Sequence, residues 1–280
     1  MQFEIGQSDA KTAYVRLTDA VNQRYSPPSD VVNKPTAQQT MKLDMCGFEL
    51  FTQPFAFRFT SSRDGSEYLS TFNQSFVMMD KYMQLDMKLP SRRIYGFGER
   101  NREFTLSEGT WTMWANGQET PYDDGTGGKQ VYGVHPFALV QTANKGEYIG
   151  LYFRNTNAMS PVIRYKDDNS AILSYISVGG QVEIYFFFKG TAKQIISQYQ
   201  NLVGKPVLPP FWSLGWHAAS YGYQTLTDVQ TNIDGYSKAG IPLEGIWFDI
   251  EYMNKYADFS VDKTAFPDLP TFVSKLHANN

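Results

Sequence analysis

Asp249 is the residue whose surroundings most clearly suggest chemistry. It lies near the end of a hydrophobic segment, LEGIWFDI at residues 243–250, with Trp247, Phe248 and Tyr252 close by in sequence. A carboxylate at the carboxyl end of a barrel strand can accept hydrogen bonds from two sugar hydroxyls, while an aromatic face orients the ring. The same carboxylate could instead cap the following turn or pair with a lysine, so its position alone leaves both roles open.

Two further candidate residues, Tyr221 and His217, lie at or just after the preceding predicted strand. Tyr221 follows this strand after the short segment His217-Ala218-Ala219-Ser220, where its ring would either line the same pocket or cover the barrel rim. His217 stands beside Trp216 in an apolar stretch. Histidines in such surroundings are more often core residues than acids or ligands, so we expect a structural role for it.

Hydrolysis of a glycosidic bond usually requires two carboxyl groups, one as nucleophile or base and one as proton donor. Asp249 and Glu251 make a poor pair, and Asp258 and Asp262 lie in a polar loop without a distinguishing context. We therefore predict no catalytic residue within residues 1–280.

No cofactor or metal site is predicted. The three histidines are scattered at positions 135, 217 and 277, and Cys46 is the only cysteine, which excludes a cysteine-based zinc site and an internal disulfide. Gly96-Phe97-Gly98 lacks the third glycine and the βαβ setting of a dinucleotide site, and the sequence contains neither a P-loop nor a GxSxG motif.

Charge and hydropathy argue against two classes of partner. The net charge of −3 provides no basic excess for nucleic acid or anionic membranes. No run of about 18 apolar residues is present, so no membrane-spanning helix is expected. The opening residues, MQFEIGQSDA, lack the basic and apolar regions of a signal peptide.

The first two hundred residues have the pattern of many short antiparallel strands. Apolar and polar residues alternate over 83–89, and residues 48–60 are aromatic and extended before a turn at 63–66. Two more hairpins are predicted, one of residues 137–141 with 148–154 and one of residues 171–177 with 182–188 around Gly179-Gly180. Thr191 is a candidate cap for a helix whose apolar stripe is Ile195, Ile196, Tyr199 and Leu202.

The pattern changes after the proline-rich segment 205–210. A strand at 213–218, a helix capped by Thr225 and Asp228 and ended by Gly240, a buried strand at 243–250 and a helix from Thr271 form a parallel βαβ unit. We predict a β-sandwich at 1–204, a linker at 205–210 and an incomplete barrel at 211–280, with the chain ending inside a helix.

Five segments in order resemble glycoside hydrolase family 31, the α-glucosidase and α-xylosidase family. They cover much of the chain and are IYGFGERNREF (94–104), QVYGVHPFAL (130–139), YIGLYFRNTNAM (148–159), PVLPPFWSLGWHAASYGY (206–223) and GIPLEGIWFDIEYM (240–253). The resemblance implies a galactose-mutarotase-like antiparallel β-sandwich followed by the first βαβ unit of a (β/α)8 barrel. It also implies exo-acting, retaining hydrolysis of terminal α-linked sugars.

The resemblance implies roles for individual residues as well. Asp249 matches the family aspartate that binds the sugar in the −1 subsite, Ile250 adjoins it, and Tyr221 matches an aromatic position lining that pocket. The family nucleophile, in a W-x-D-M-N-E-like strand, and the acid/base that follows it have no counterpart in this sequence. The family W-N-x-D pattern is also altered, because Asn116-Gly117 leads to no aspartate and Glu119 is the nearest carboxylate.

The expected function is that of the N-terminal part of an α-glucosidase-like hydrolase, with an oligosaccharide or glycan as substrate and no activity from these residues alone. The alternative is a carbohydrate-binding β-sandwich module without catalysis.

Overall fold

The computed structural model describes residues 1–9, 11–30, 32, 46–114 and 130–278. Contacts between Cα atoms divide the chain into two compact units, Met1–Lys205 and Pro206–Asn280. Within the described parts of both units, no helix has the length and apolar character needed to cross a membrane.

The first unit is built almost entirely of strands. Those described are β1 (Gln2–Asp9), β2 (Thr12–Thr18), β3 (Cys46–Thr52), β4 (Phe55–Ser61), β5 (Glu67–Ser70), β6 (Phe76–Met79), β7 (Tyr82–Leu89), β8 (Ile94–Gly96), β9 (Gly109–Thr110), β10 (Phe137–Gln141), β11 (Tyr148–Phe153), β12 (Val162–Tyr165), β13 (Ala171–Ser177) and β14 (Val182–Gly190). One sheet has the order β1-β2-β14-β11-β10-β8. The other has the order β3-β4-β5-β7-β13-β12-β9, with β6 paired to β7.

Aromatic side chains join the two sheets into a sandwich. Phe59 of β4 lies with its ring centroid 4.8 Å from that of Phe186 and 4.9 Å from that of Phe188, both on β14 in the other sheet. All described strand pairs within the two sheets are antiparallel, which confirms the predicted sandwich. Aromatic residues make up 15% of the sequence, and many of them pack in this core. Cys46 of β3 is also buried there, and burial raises the pKa of its thiol to about 12.

Local patterns in the sandwich are largely confirmed. Met83, Leu85, Met87 and Leu89 of β7 are all buried, as their alternation predicts. Strands β10 and β11 form the predicted hairpin, and Gly146 in its turn has a φ of 81°. A positive φ of this size is the conformation that glycine adopts without steric cost.

The predicted hairpin around Gly179-Gly180 is wrong. Strand β13 pairs with β7 and β12 in one sheet, whereas β14 pairs with β2 and β11 in the other, so the connection crosses between sheets. Asn155 holds this crossing, because its Nδ2 donates to Gly179 O at 3.0 Å and to Gln181 O at 3.3 Å. A Cβ at Gly180 would lie 2.7 Å from Nδ2 of Asn157. The glycine therefore allows close packing rather than a two-strand turn.

A buried ion pair ties three segments of the sandwich together. Arg154 Nη1 donates to both carboxylate oxygens of Glu183 at 3.1 and 3.0 Å, and Arg154 Nη2 donates to the carbonyls of Pro27 and Pro28 at 3.0 and 2.7 Å. Tyr185 donates its hydroxyl to the same carboxylate at 3.1 Å. The Arg154 and Glu183 side chains are only 1% and 4% exposed, so each charge is compensated almost entirely by protein groups.

Helix α1 (Ala192–Val203) covers the outer face of the six-stranded sheet. Thr191 and Gln194 form a capping box at its start, and Gly204 follows its last turn. Ile195 and Leu202 are buried, and the ring of Tyr199 stacks on Phe137 at 4.4 Å between centroids. Ile196, predicted to belong to the apolar stripe, is 40% exposed because one residue turns the side chain by about 100° around the helix axis.

The second unit contains β15 (His217–Ser220), α2 (Leu226–Ala239), β16 (Gly245–Phe248) and α3 (Leu269–Ala278), with 3₁₀ turns at Phe211–Leu214 and Asn254–Tyr256. Strands β15 and β16 are parallel neighbours, which confirms the predicted βαβ unit. The capping box of Thr225 with Asp228 and the left-handed Gly240 at the helix end are also confirmed.

Three boundaries in this unit differ from the prediction. The helix predicted from Thr271 begins at Leu269. The strand predicted at 213–218 begins only at His217, because Ser213 N and Oγ both donate to Pro210 O and set a 3₁₀ turn after the prolines. The segment predicted as a buried strand at 243–250 is a four-residue strand, β16, whose Trp247 is 56% exposed. The end of the chain, predicted to interrupt a helix, lies outside the described residues, which stop at 278.

We predict that Glu183→Gln destabilises the sandwich by about 3–5 kcal/mol, because it leaves the buried Arg154 charge uncompensated. Urea unfolding followed by circular dichroism measures this change. Glu49→Gln is the matched control, since Glu49 also pairs with an arginine, Arg58, but has a side chain that is 46% exposed. The control should leave the free energy of unfolding nearly unchanged. Equal effects of the two substitutions would contradict the importance assigned to the buried pair.

Candidate functional site

The parallel pairing of β15 with β16 brings the predicted site residues to one edge of the strands. The register pairs His217 with Gly245 and ends with Ser220 opposite Phe248. Tyr221 and Asp249 are the next residues along each strand, so they are neighbours at the carboxyl end of the pair. Tyr221 thus follows β15 directly, because residues 217–220, expected to separate the strand from Tyr221, form the strand itself.

All three predicted substrate-binding residues are accessible at this edge. Tyr221 is 71% exposed, Ile250 is 37% exposed and Asp249 is exposed as well. Within the part of the chain that the structure describes, the Asp249 carboxylate has no hydrogen bond and no ion pair. It neither caps the following turn nor pairs with a lysine there, so both oxygens are available to a ligand.

The two faces of β16 have different surroundings. Ile246 and Phe248 pack with Val229 of α2 and with Phe266 in a small core. Trp247 points the other way, because side chains alternate along a strand. Asp249 follows Trp247 by two positions at the end of this strand.

An aromatic cluster occupies the face opposite α2. Trp247 donates its indole Nε1–H to His217 Nδ1 at 3.1 Å, and the His217 ring centroid lies 5.9 Å from that of Trp247 and 5.7 Å from that of Trp212. A cavity of about 630 Å³ adjoins this cluster, and its lining also includes Phe248 from the other face of β16 and Val273 and Leu276 of α3. His217, expected to be a core residue, is only partly buried, although its Nε2 is buried and has no partner among the described residues.

Glu251 and Asp249 lie in different environments. Glu251 is 8% exposed, and neither of its carboxylate oxygens has a hydrogen-bond partner in the described parts of the chain. Asp262, in the loop that follows, accepts hydrogen bonds from the backbone of Ala265 and Thr264, which lower the pKa of its carboxyl group. Asp262 therefore orders a turn, and Asp249 remains the accessible carboxylate at the strand ends.

Two sequence models of one enzyme family match the chain. Residues 8–160 match the glycosyl hydrolase 31 N-terminal galactose mutarotase-like domain, and residues 206–280 match the glycosyl hydrolases family 31 TIM-barrel domain. The chain belongs to glycoside hydrolase family 31. The match confirms the predicted fold class, a galactose-mutarotase-like sandwich followed by the start of a barrel.

Relatives in family 31 align over nearly the whole chain. A probable alpha-glucosidase of Oryza sativa subsp. japonica is 31% identical over 290 residues, which cover 95% of this chain and 32% of the relative. The lysosomal alpha-glucosidase of Mus musculus is 29% identical over 280 residues, covering 99% of this chain and 28% of the relative. The chain thus spans about a third of the length of the curated relatives it matches.

Solved structures from the family share the fold at lower identity. The Tris-bound glucosidase II alpha subunit gives a TM-score of 0.78 at 18% identity, covering 99% of this chain and 38% of that one. A family 31 dextranase of Flavobacterium johnsoniae, complexed with glucose, gives a TM-score of 0.74 at 18% sequence identity. The alignment covers 98% of this chain and 34% of that one. The agreement at such low identity concerns the fold alone.

The position of the family W-N-x-D pattern lies outside the described residues, as do Asn116, Gly117 and Glu119. The residues on either side of that position are joined. Trp114 N–H donates to Gln130 Oε1 at 2.5 Å, and Gln130 Nε2 donates to Trp114 O at 2.6 Å. No sequence pattern signals these two hydrogen bonds, because a glutamine side chain that pairs with a distant backbone has no periodicity.

No group of three histidine, cysteine, aspartate or glutamate side chains suited to a metal ion occurs in the described part of the family 31 chain. The aromatic cluster of Trp212, His217 and Trp247 was also missed by sequence reasoning. The parallel register, which sequence patterns do not specify, brings Trp247 against His217.

We predict that neutral His217 carries its proton on Nε2, because Nδ1 must accept the Trp247 indole N–H. Long-range ¹H–¹⁵N correlation spectra at alkaline pH distinguish the two tautomers. Trp247→Phe removes the donor and should restore a mixture of tautomers. His277, which has no hydrogen bond within the described residues, is the internal control. A mixture at His217 in the unsubstituted chain would contradict the observed geometry.

Proposed function

We propose that this chain supplies part of the −1 sugar pocket of a retaining, exo-acting α-glycoside hydrolase of the α-glucosidase type. The observation that carries the proposal is the exposed, unpaired carboxylate of Asp249 beside Tyr221 at the carboxyl ends of β15 and β16. Active sites of α/β barrels lie at this end of the strands. The relatives named as alpha-glucosidases support an oligosaccharide or glycan with a terminal α-linked sugar as the substrate.

Each site residue has a role in this proposal that its chemistry supports. The Asp249 carboxylate accepts hydrogen bonds from sugar hydroxyls, and such charge-assisted bonds are about twice as strong as neutral ones. Tyr221 provides an aromatic wall on which the C–H face of the ring packs. Ile250 provides an apolar edge that limits the space beside the ring.

The cleavage step needs two carboxyl groups on either side of the scissile bond. Glu251 is only 8% exposed, so its carboxyl group is not open to a substrate bound beside Asp249. We therefore propose that the nucleophile and the acid/base lie outside residues 1–280. We further propose that the chain consists of a β-sandwich domain at 1–204, a proline-rich linker at 205–210 and the start of a barrel domain at 211–280. The relatives described above are glycosidases, which gives the non-catalytic alternative no support.

The decisive variant is Asp249→Asn in the protein expressed from its complete gene. The substitution keeps the shape of the side chain but removes its charge, so kcat/KM for an aryl α-glucoside should fall by about 10- to 100-fold, equivalent to about 1.5–3 kcal/mol of lost binding in the transition state. Residues 1–280 alone should give no turnover of the same substrate.

Asp258→Asn is the matched control, because Asp258 is an exposed aspartate in the loop that follows the same strand. It should leave kcat/KM within about twofold of the parent, as expected for an exposed residue away from the ligand. An Asp249→Asn enzyme as active as the Asp258→Asn enzyme would overturn the role assigned to Asp249. Turnover by residues 1–280 would overturn the placement of the catalytic carboxyl groups.

A further inference from the structure

The sandwich contains a second cavity, entirely within the first unit. Its volume is about 510 Å³, within the range of roughly 300–1,000 Å³ that is usual for small-molecule sites. It is lined on one side by apolar and aromatic groups, which include Trp114, Tyr152 and Met159, and on the other by Arg154, Asn155 and Asn157. The cavity thus combines an aromatic wall with a few grouped polar side chains.

The aromatic wall is fixed in place but open to solvent. Trp114 is 61% exposed, although its backbone N–H and carbonyl are both held by the Gln130 side chain. Exposed indole rings on a rigid backbone bind ligands at low entropic cost, because little freedom is lost on binding.

The polar side is preorganised and carries no free charge. Arg154 is 2% exposed, and Glu183 neutralises its guanidinium through two hydrogen bonds to Nη1. Its Nη2 is bonded to the carbonyls of Pro27 and Pro28, and its Nε–H has no acceptor among the described residues. A cavity whose cation is already paired favours a neutral ligand over an anion.

Groups suited to hydroxyl recognition face the same space. Asn155 Oδ1 accepts from both the backbone N–H and the Nδ2 of Asn157, at 2.9 Å each, which fixes the orientation of the Asn157 amide. No described residue donates to Asn157 Oδ1, and the Thr156 side chain is exposed. One oriented acceptor and one hydroxyl beside an indole ring match the alternating polar edge and apolar face of a saccharide.

We propose that this cavity is a second carbohydrate site, which binds a neutral saccharide by stacking on Trp114 and by hydrogen bonds to Thr156 and Asn157. All of its lining residues belong to the first unit, whereas Asp249 belongs to the second.

The test is a titration of ¹⁵N-labelled residues 1–280 with maltose, followed through the backbone and side-chain amide resonances. Maltose should shift the signals of residues 155–157 and of the Trp114 indole. Trp114→Ala should weaken this binding by about tenfold or more, because the stacking surface is lost. Since Trp114 is exposed, its removal is expected to leave the fold intact, and Thr156→Val provides a second, milder variant. Glucose 6-phosphate should cause no larger shifts than glucose, because Arg154 is the only cation among the described lining residues and is already paired with Glu183.

Asp249→Ala separates this site from the one proposed above. Maltose shifts at residues 155–157 that persist in Asp249→Ala and weaken in Trp114→Ala would support the second site. Shifts confined to residues around Tyr221 and Asp249 would overturn it and leave the function proposed above untouched. An absence of shifts at residues 155–157, or a shift there that is lost in Asp249→Ala, would also overturn it.

Discussion

Parallel pairing of β15 with β16 in a single register decides which side chains meet at the open ends of these strands. Tyr221 and Asp249 are 28 residues apart in sequence and become neighbours because Ser220 pairs with Phe248. A shift of one residue would exchange the two faces of β16, placing Ile246 and Phe248 where Trp247 now lies. The small core formed with Val229 and Phe266 opposes such a shift, since it would expose these apolar side chains to water.

The two units bury their apolar side chains to different extents. The sandwich closes on itself, with Phe59, Phe186 and Phe188 in one shared core and with α1 over an outer face. The second unit has a much smaller core and leaves Trp212 and Trp247 more than half exposed. Grouped exposed aromatic residues are uncommon on surfaces that contact only solvent. They are common where a ligand or another protein segment packs.

Sequence patterns predicted the features that depend on neighbours along the chain. Alternation identified β7, and the cap residues Thr191 and Thr225 marked the starts of α1 and α2. The predictions that were wrong or missing share one cause, which is contact between residues distant in sequence. Gly179-Gly180 has the composition of a hairpin turn, yet the contacts of Asn155 and Asn157 lead the chain across to the other sheet. Asp249 could be identified because family motifs and strand ends are local signals. The Trp247–His217 contact and the hydrogen bonds between Gln130 and Trp114 require the assembled fold.

The burial of Cys46 gives the chain a practical property. A thiol reacts with maleimides and similar reagents as the thiolate, and a pKa near 12 leaves almost none of that form at neutral pH. Within residues 1–280 Cys46 should therefore resist labelling, and a cysteine introduced on an exposed loop of these residues should take up a fluorophore in its place. Such a label would report on the surroundings of one chosen position without interference from Cys46.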